Sequence, residues 1–197
     1  MNGSKGQKEL FSQEDFNKNP ISLNDELSFS KDLIRAWQQR IHTYQEPHFA
    51  KAETTPIQKS IFQTVGIVPI ETSPNPQDLV PLPLNFWRWP QNPHNGPAIY
   101  LVMDKPKNLE FHILLYIGET VASDKRWKGD HDCKQYLQAY SEACNKAHLK
   151  TQLSIRFWKD VPHETTCRRK LEKQLIHKWL PAFNKETRGF WSTPFTN

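Results

Sequence analysis

The chain has 197 residues, which is enough for one domain with extensions or two small domains, and for a hydrophobic core that needs no disulfide or metal to stabilise it. Its three cysteines include no Cys-x-x-Cys pair, so the sequence excludes a disulfide-rich secreted class and favours a reducing, cytoplasmic location. The formal charge is +5, and residues 96–197 hold 17 Lys and Arg against 11 Asp and Glu, so this second half is the part suited to a polyanion.

The N-terminal part is predicted to be helical. Residues 1–22 are polar and are expected to form a mobile leader without a signal peptide. Ser30 is expected to cap a helix that runs to about Tyr44, and a second helix is expected from Thr55 to about Val65. The apolar face of the first helix consists of Leu33, Ile34, Trp37 and Ile41. No apolar run is long enough to span a membrane, and no membrane partner is expected.

A proline-rich connector follows, with eight prolines between positions 69 and 97. Proline at this density breaks helices and strands, so an extended segment is predicted. Phe86, Trp87 and Trp89 lie close together in it, and we expect them to be buried on the domain that follows. The alternative is that a tryptophan stacks on a nucleic-acid base. Residues 1–95 are therefore interpreted as an extension and residues 96–197 as the functional domain.

That domain is predicted to begin with a β-hairpin. Residues 98–103 and 111–117 read as two strands, with a turn between them. One face of the second strand is expected to hold Phe111, Ile113, Leu115 and Ile117. A hairpin centred near the middle of the turn places Tyr100 opposite Tyr116 on the other face. Gly118 is expected to end the strand and allow a tight turn.

The remaining elements are mostly helical. A short helix near Ala122–Trp127 carries Arg126, a longer one covers about Cys133–Ala147, and residues 152–158 alternate as a third strand. A last helix begins near Arg168. The order β-β-α-α-β-α indicates an α/β (α+β) domain in which a three-stranded antiparallel sheet is flanked by helices.

The last helix reads RRKLEKQLIHKWLPAFN, and Pro181 stops it before Asn184 on the exit turn. Its apolar stripe consists of Leu171, Leu175, Ile176 and Trp179. Glu172 lies within this stripe, so its carboxylate is expected to face the interior or the mouth of a cleft, where it needs a partner, a proton or a metal. The alternative is that Glu172 bends outward into solvent.

Five features in this order resemble the GIY-YIG nuclease family. They are Ala98-Ile99-Tyr100 (with Ala in place of the first Gly), Tyr116-Ile117-Gly118, Arg126, Glu172 and Asn184. The resemblance covers about residues 96–186, roughly half the chain, and it implies the family's fold and activity. The activity implied is that of a metal-dependent DNA endonuclease of restriction or mobile-element type, acting on double-stranded DNA.

The residues have roles that fit phosphodiester hydrolysis. Glu172 is a hard oxygen ligand for Mg²⁺ or Mn²⁺. In the family's proposed mechanism the residue corresponding to Tyr100 accepts the proton of the attacking water, and Tyr116 would position that water or a phosphate oxygen. Arg126 would hold a phosphate, and Asn184 would brace the phosphate or the back wall of the site.

Further contacts to nucleic acid are expected from Lys125, Lys128, His131, Arg168 and Arg169. Cutting both strands with one site per chain requires a homodimer or two successive cleavage events by one chain. Each tyrosine could instead be an ordinary half-buried sheet residue, and Arg126 a solvated helix charge. Two other functions therefore stay open: a DNA-binding module without turnover, and an interaction protein whose aromatic connector is the partner surface.

Overall fold

A three-stranded antiparallel sheet lies at the centre of the fold. The computed structural model describes residues 23–50, 73–88, 96–122 and 132–195. The strands, in the order β2-β1-β3 across the sheet, are β1 (Ala98–Asp104), β2 (Ile113–Thr120) and β3 (Ser154–Trp158). The α-helices of the described residues are α1 (Leu23–Ala50), α2 (Asp132–Lys146) and α3 (Thr165–Trp179). The prediction of an α+β fold with such a sheet and flanking helices is confirmed.

The central strand β1 is buried along its whole length because helices cover both faces of the sheet. On one face, Tyr100 and Val102 belong to a core that includes Trp37 of α1 and Tyr140 of α2. The core on the other face contains Ile99, Leu101 and Met103 of β1 with Leu171, Leu175 and Trp179 of α3. Helix α1 therefore contributes to the same core as the sheet, although it precedes β1 by many residues.

Helix α1 is longer than predicted at both ends. Ser30 lies inside the helix rather than at its cap, and Pro47 lies near its C-terminal end. The predicted apolar face is buried at Ile34, Trp37 and Ile41. Leu33 is the exception, being 43% exposed. The helix continues beyond its expected end because Gln45 and Phe49 are both buried there, against β2 and α3 respectively.

The proline-rich connector lies along the outer edge of β3. Within residues 73–88, regular structure is limited to two short 3-10 turns (Pro76–Asp78 and Phe86–Arg88). Leu82 and Ile155 exchange backbone hydrogen bonds in both directions at 2.8 Å, which covers the edge of the sheet. Phe86 is buried, so the predicted packing of the connector on the domain is confirmed for this residue. The side chain of Trp87 and all of Trp89 lie outside the described part of the chain.

Three predicted elements lie outside the described residues. They are the leader at residues 1–22, the helix from Thr55 to Val65 and the short helix around Arg126. The described elements of residues 96–195 follow one another as β-β-α-β-α, which is the predicted order apart from the helix around Arg126. In the part of the chain that the structure describes, no helix combines the length and the apolar character needed to cross a bilayer.

Strand β2 contains an irregularity that the predicted alternation lacks. The register with β1 shifts between Val102 and Met103, as a β-bulge does. Leu115 and Tyr116 consequently lie on the same side of the sheet, whereas Ile117 lies on the side of α3. The predicted grouping of Ile117 with Leu115 is therefore wrong, because the extra residue reverses the alternation after it. The strand also begins at Ile113 rather than at Phe111.

Gly118 lies within β2 rather than at its end. It is the cross-strand partner of Tyr100, and Tyr116 is paired with Val102. The prediction that Tyr100 lies opposite Tyr116 is wrong in register, although the two tyrosines share one face as expected. The expected role of Gly118 in a tight turn is also wrong, because the strand continues to Thr120.

Candidate active site around residues 116–119

Glu172 extends from α3 to the far end of β2. Its Oε1 accepts a hydrogen bond from the backbone N–H of Glu119 at 3.0 Å. Leu171 and Leu175, on the same stripe of α3, are buried against the sheet and turn this side of the helix inward. Glu172 is half-buried. The predicted inward orientation is confirmed, and the alternative of a carboxylate bent outward into solvent is wrong.

The environment of Glu172 disfavours its negative charge. Burial raises the pKa of Glu172 from 4.5 to about 7, and the nearby carboxylates of Glu119 and Glu186 act in the same direction. The N–H of Glu119 and the positive charge of Arg169 offset only part of this effect. No described residue donates a hydrogen bond to the second oxygen, Oε2. Within the described residues, the carboxylate therefore has one oxygen without a donor and an incompletely compensated charge.

Arg168 is a structural residue of this site. Its side chain is 0% exposed, and its Nε donates to Oε2 of Glu119 at 2.9 Å. Its Nη1 donates to the carbonyl oxygens of Pro162 and His163, and its Nη2 donates to Oγ1 of Thr165. The expectation that Arg168 contacts nucleic acid is corrected, since the guanidinium is enclosed and all three of its nitrogens have partners. A positive charge in the first turn of a helix is opposed by the helix dipole, and for Arg168 these oxygen acceptors offset that cost.

Arg169 has the opposite character. Its side chain is 67% exposed, and its Nε donates to Oε1 of Glu119 at 3.1 Å. No described residue accepts a hydrogen bond from its two terminal nitrogens. Arg169 is therefore an exposed cation beside Glu172, and its terminal nitrogens, which have no acceptor among the described residues, suit a phosphate.

Asn184 is bound to the outer edge of β2. Its Oδ1 accepts from the N–H of Ile117 at 2.9 Å, and its Nδ2 donates to the carbonyl of Ile117 at 2.8 Å. Gln45 of α1 makes the same pair of bonds with Leu114, at 2.7 and 3.0 Å. The two carboxamides make the backbone hydrogen bonds that a neighbouring strand would otherwise make with this edge of β2. Asn184 is 3% exposed, so it matches the expected brace of the back wall, and a direct contact to phosphate has no support.

The two tyrosines lie beside the same segment on the opposite face of the sheet. Their rings stack with centroids 5.9 Å apart. The ring of Tyr100 covers Gly118 so closely that a Cβ at this glycine would lie 2.3 Å from Cζ of Tyr100. This close approach, not a turn, is what requires glycine at position 118. Tyr100 is 1% exposed, and Tyr116 is half-buried.

Four of the predicted site residues thus converge on one short segment. Residues 116–119 are contacted by Tyr100, Glu172 and Asn184 and include Tyr116 itself. The segment spans about 10 Å along the edge strand. The tyrosines approach it from the face of α1 and α2, and Glu172 approaches it from α3. The other predicted residues of the site, Lys125, Arg126, Lys128 and His131, lie outside the described residues.

Sequence reasoning missed two participants. Glu119 organises the site through its N–H, which binds Glu172, and through its carboxylate, which binds Arg168 and Arg169. An acidic residue directly after a strand glycine was the available signal. Gln45 gave no signal, because only the folded chain brings it to β2 across 69 positions of sequence.

The fit of a divalent cation to this site depends on Glu172. Among residues 23–50, 73–88, 96–122 and 132–195, no three His, Cys, Asp or Glu side chains form a group that could hold a metal ion. A Mg²⁺ ion needs fewer protein ligands, because it keeps several waters and binds through one or two carboxylates. Oε2 of Glu172, which accepts no hydrogen bond from a described residue, is available to such an ion, and a bound cation would favour the charged carboxylate over its protonated form.

Comparison with models of known families, with curated proteins and with solved structures finds no match for this chain.

Proposed function

We propose that this chain is a divalent-metal-dependent endonuclease that hydrolyses phosphodiester bonds in double-stranded DNA. The observation that carries the proposal is that Glu172 and the Tyr100–Tyr116 pair lie against the same segment, residues 116–119, at the edge of the sheet and from its two sides. These are the residues through which the chain resembles the GIY-YIG nuclease family. The positive charge of residues 96–197 fits a polyanionic substrate.

Glu172 would hold the metal through Oε2, while the N–H of Glu119 fixes Oε1. Mg²⁺ or Mn²⁺ at this position would supply positive charge for the transferring phosphate and the leaving oxygen. Glu119 is less suited to be a direct ligand, because its two oxygens accept hydrogen bonds from Arg168 and Arg169. Its negative charge nevertheless adds to the attraction of the site for a cation.

The exposure of the tyrosines suggests a division of roles. Tyr116 is half-buried and Tyr100 is almost fully buried. We therefore assign the contact with the attacking water to Tyr116, and we assign to Tyr100 the orientation of Tyr116 through ring stacking. This assignment transfers to Tyr116 the proton-accepting role that the family resemblance gives to Tyr100.

The substrate phosphate would be bound by arginine. Arg169 is exposed beside Glu172, and no described residue accepts a hydrogen bond from its terminal nitrogens. Its hydrogen bond to Glu119 fixes the base of the guanidinium and leaves the planar fork available for two phosphate oxygens. Arg126 keeps the phosphate-binding role that the resemblance implies.

The second candidate is a DNA-binding module on a nuclease fold. The observations that favour it are the burial of Tyr100 at 1% exposure and Ala98 in place of the first glycine of the motif. Such a module would bind DNA in a salt-dependent way without a metal, and it would not cut.

The deciding experiment is plasmid nicking by the full chain with Mg²⁺ or Mn²⁺. Wild type is compared with Glu172→Gln and with Glu142→Gln, a matched control that removes one exposed carboxylate from α2. The fold of each variant is verified by circular dichroism. We expect cutting by the wild type and the control, and a loss of about 100-fold or more in Glu172→Gln because the only proposed metal ligand is removed.

The other outcomes separate the candidates. DNA binding that survives EDTA without any cutting by wild type would favour the binding module. Near-wild-type cutting by folded Glu172→Gln would refute the assignment of Glu172 as metal ligand. Absence of both cutting and DNA affinity at low salt would refute both functions.

A further inference from the structure

A short turn follows the back wall of the candidate site. This 3-10 turn, Arg188–Phe190, comes after Asn184, whose side chain is bound to the backbone of Ile117. The carbonyl oxygen of Asn184 accepts a hydrogen bond from the N–H of Arg188 at 2.8 Å. The turn is therefore attached to the same edge of β2 that carries residues 116–119.

The backbone of the turn is held at both ends. Thr187, before the turn, is buried, and its hydroxyl donates to the carbonyl oxygen of Pro181. Trp191, after the turn, is also buried, and its indole N–H donates to the carbonyl oxygen of Leu180 at 2.7 Å. The N–H of Phe190 donates to the carbonyl oxygen of Thr187 at 3.0 Å. The turn is thus ordered before any ligand binds, which lowers the entropic cost of binding.

Phe190 is 68% exposed, although the residues on either side of the turn are buried. Its ring contacts the ring of Trp191 edge to face, with the two centroids 5.5 Å apart. Among the described residues it is the one aromatic side chain of the exposed large hydrophobics, which are Leu33, Val80, Val121 and Phe190. A single exposed apolar residue is ordinary on a protein surface, so the groups around this ring decide what it can bind.

Two exposed arginines border the turn, and neither forms an ion pair with a described residue. Arg188, in the turn itself, donates through Nη1 to the hydroxyl of Tyr136, and its Cζ lies 5.3 Å from the centroid of that ring. Arg40 of α1 donates through Nη2 to the carbonyl oxygen of Trp191 at 3.3 Å. Both guanidinium groups keep other N–H donors that have no acceptor in the described part of the chain, and these donors suit phosphates.

A fixed, exposed ring with two cations beside it suits a nucleic-acid strand. An aromatic ring stacks on any base, and arginines bind the phosphates of the same strand. In a fully paired duplex, however, the bases already stack on one another, and a side chain reaches their faces only by unstacking a step. A base without a pairing partner does not carry this cost.

We propose that the turn Arg188–Phe190, together with Arg40, binds the DNA strand beside residues 116–119, with the arginines on its phosphates and the ring of Phe190 stacked on an unpaired base. This assignment rests on the proposed function, from which the nucleic-acid ligand comes. The substrate that it specifies is duplex DNA with unpaired nucleotides next to the cut.

The test is fluorescence anisotropy of two labelled duplexes with the full chain in EDTA, so that binding is measured without a metal. One duplex is fully paired, and the other carries a short unpaired bulge at its centre. We expect the bulged duplex to bind about tenfold more tightly or better. Phe190→Ala should weaken binding of the bulged duplex by about tenfold and of the paired duplex by less than about threefold.

Two further variants control for the loss of apolar surface. Phe190→Trp should keep the preference for the bulged duplex, because an indole also stacks on bases. Val80→Ala truncates another exposed hydrophobic side chain, in the connector, and should change both affinities by less than about twofold.

The arginines are tested by a double variant, Arg40→Gln with Arg188→Gln. Because phosphate contacts do not depend on base pairing, it should weaken binding of both duplexes alike, by about tenfold or more, and lower the slope of log affinity against log salt by about 2. The control, Lys107→Gln with Lys150→Gln, removes the same charge from exposed positions near the β1–β2 turn and should have less than about a threefold effect.

Plasmid nicking by the same wild-type preparation with Mg²⁺ separates this assignment from the proposed cleavage. Equal binding of the two duplexes, or a Phe190→Ala variant that keeps the preference, would overturn the assignment even if the plasmid is cut, and would favour a protein partner for the ring. Equal effects of the two double variants would overturn the role of the arginines. A preference that depends on Phe190, without any cutting, would support the assignment and refute only the cleavage. Absence of DNA binding at low salt would overturn both.

Discussion

Replacing Glu172 with Gln removes the charge of this side chain and keeps its shape, so the hydrogen bond from the N–H of Glu119 to Oε1 is retained. Burial raises the pKa of Glu172 from 4.5 to about 7 in the folded protein. The whole rise would correspond to about 3 kcal/mol. Because the side chain is partly exposed and solvent screens its charge, we expect about 1–2 kcal/mol of stabilisation in the variant.

The sign of the pH dependence follows from proton binding. Between pH 4.5 and about 7, the folded state holds a proton on Glu172 that the unfolded state has lost. The contribution of Glu172 to stability therefore falls as pH rises through this window and stays constant above it. Glu172→Gln lacks this dependence. Its advantage over wild type should be near zero below pH 4.5, increase through the window and reach its full value above about pH 7.

The assay is urea denaturation of both proteins without metal, at pH values from about 4 to 9. Glu142→Gln corrects for the general effect of removing one negative charge. A difference between Glu172→Gln and wild type that does not change with pH, or a variant that is less stable above neutrality, would refute the argument from burial.

The same experiment with Mg²⁺ tests the metal site without an activity measurement. A ligand that binds only the folded state stabilises it by mass action, and protons compete with a cation for Glu172. Saturating Mg²⁺ should therefore raise the stability of wild type above about pH 7, with an effect that fades as pH falls. Glu172→Gln should show no such gain, and an equal gain in both proteins would place the ion elsewhere.

Three other substitutions test the framework of the site, each measured by urea denaturation. Gly118→Ala should destabilise the fold by about 1–3 kcal/mol because its Cβ would lie 2.3 Å from Cζ of Tyr100. Adding Tyr100→Leu should recover part of this loss, and an unchanged urea midpoint of Gly118→Ala would contradict the close packing. Arg168→Lys should lower the free energy of unfolding by about 2–4 kcal/mol because lysine cannot replace the hydrogen bonds of the buried guanidinium. The exposed Arg169→Lys should change it by less than about 0.5 kcal/mol, and equal effects of the two substitutions would show that Arg168 is not the structural residue of the pair. Asn184→Ala should cost about 2–4 kcal/mol because both of its bonds to β2 are lost, and a loss below about 1 kcal/mol would mean that solvent replaces them.

The elements predicted correctly from the sequence are those whose hydrophobic pattern lies within their own residues. Helix α2 lies within one residue of its predicted ends because its apolar spacing is regular. Strand β1 is a continuous apolar run of strand length, and β3 alternates. The inward orientation of Glu172 followed from the helical period alone, because Leu171 and Leu175 fix which side of α3 faces the sheet.

The errors arise where long-range contacts override local pattern. Alternation cannot reveal the extra residue in β2, so the face of Ile117 was assigned wrongly. Gly118 resembles a turn residue until the ring of Tyr100 is placed over it. Arg168 lies in a run of basic residues that is typical of an exposed face. Only the fold shows that a carboxylate and two carbonyl groups enclose it.

The position of the candidate site on an edge strand connects it to the N-terminal helix. An edge strand has unpaired backbone groups that must be covered. In β2 they are covered by the side chains of Gln45, Asn184 and Glu172, at successive points along one edge. Glu172 completes the edge at Glu119, and in the proposed function its second oxygen would hold the metal. Gln45 belongs to α1, and Trp37 of the same helix is fully buried in the core. The geometry around residues 116–119 therefore depends on α1 as well as on the elements that neighbour β2 in sequence.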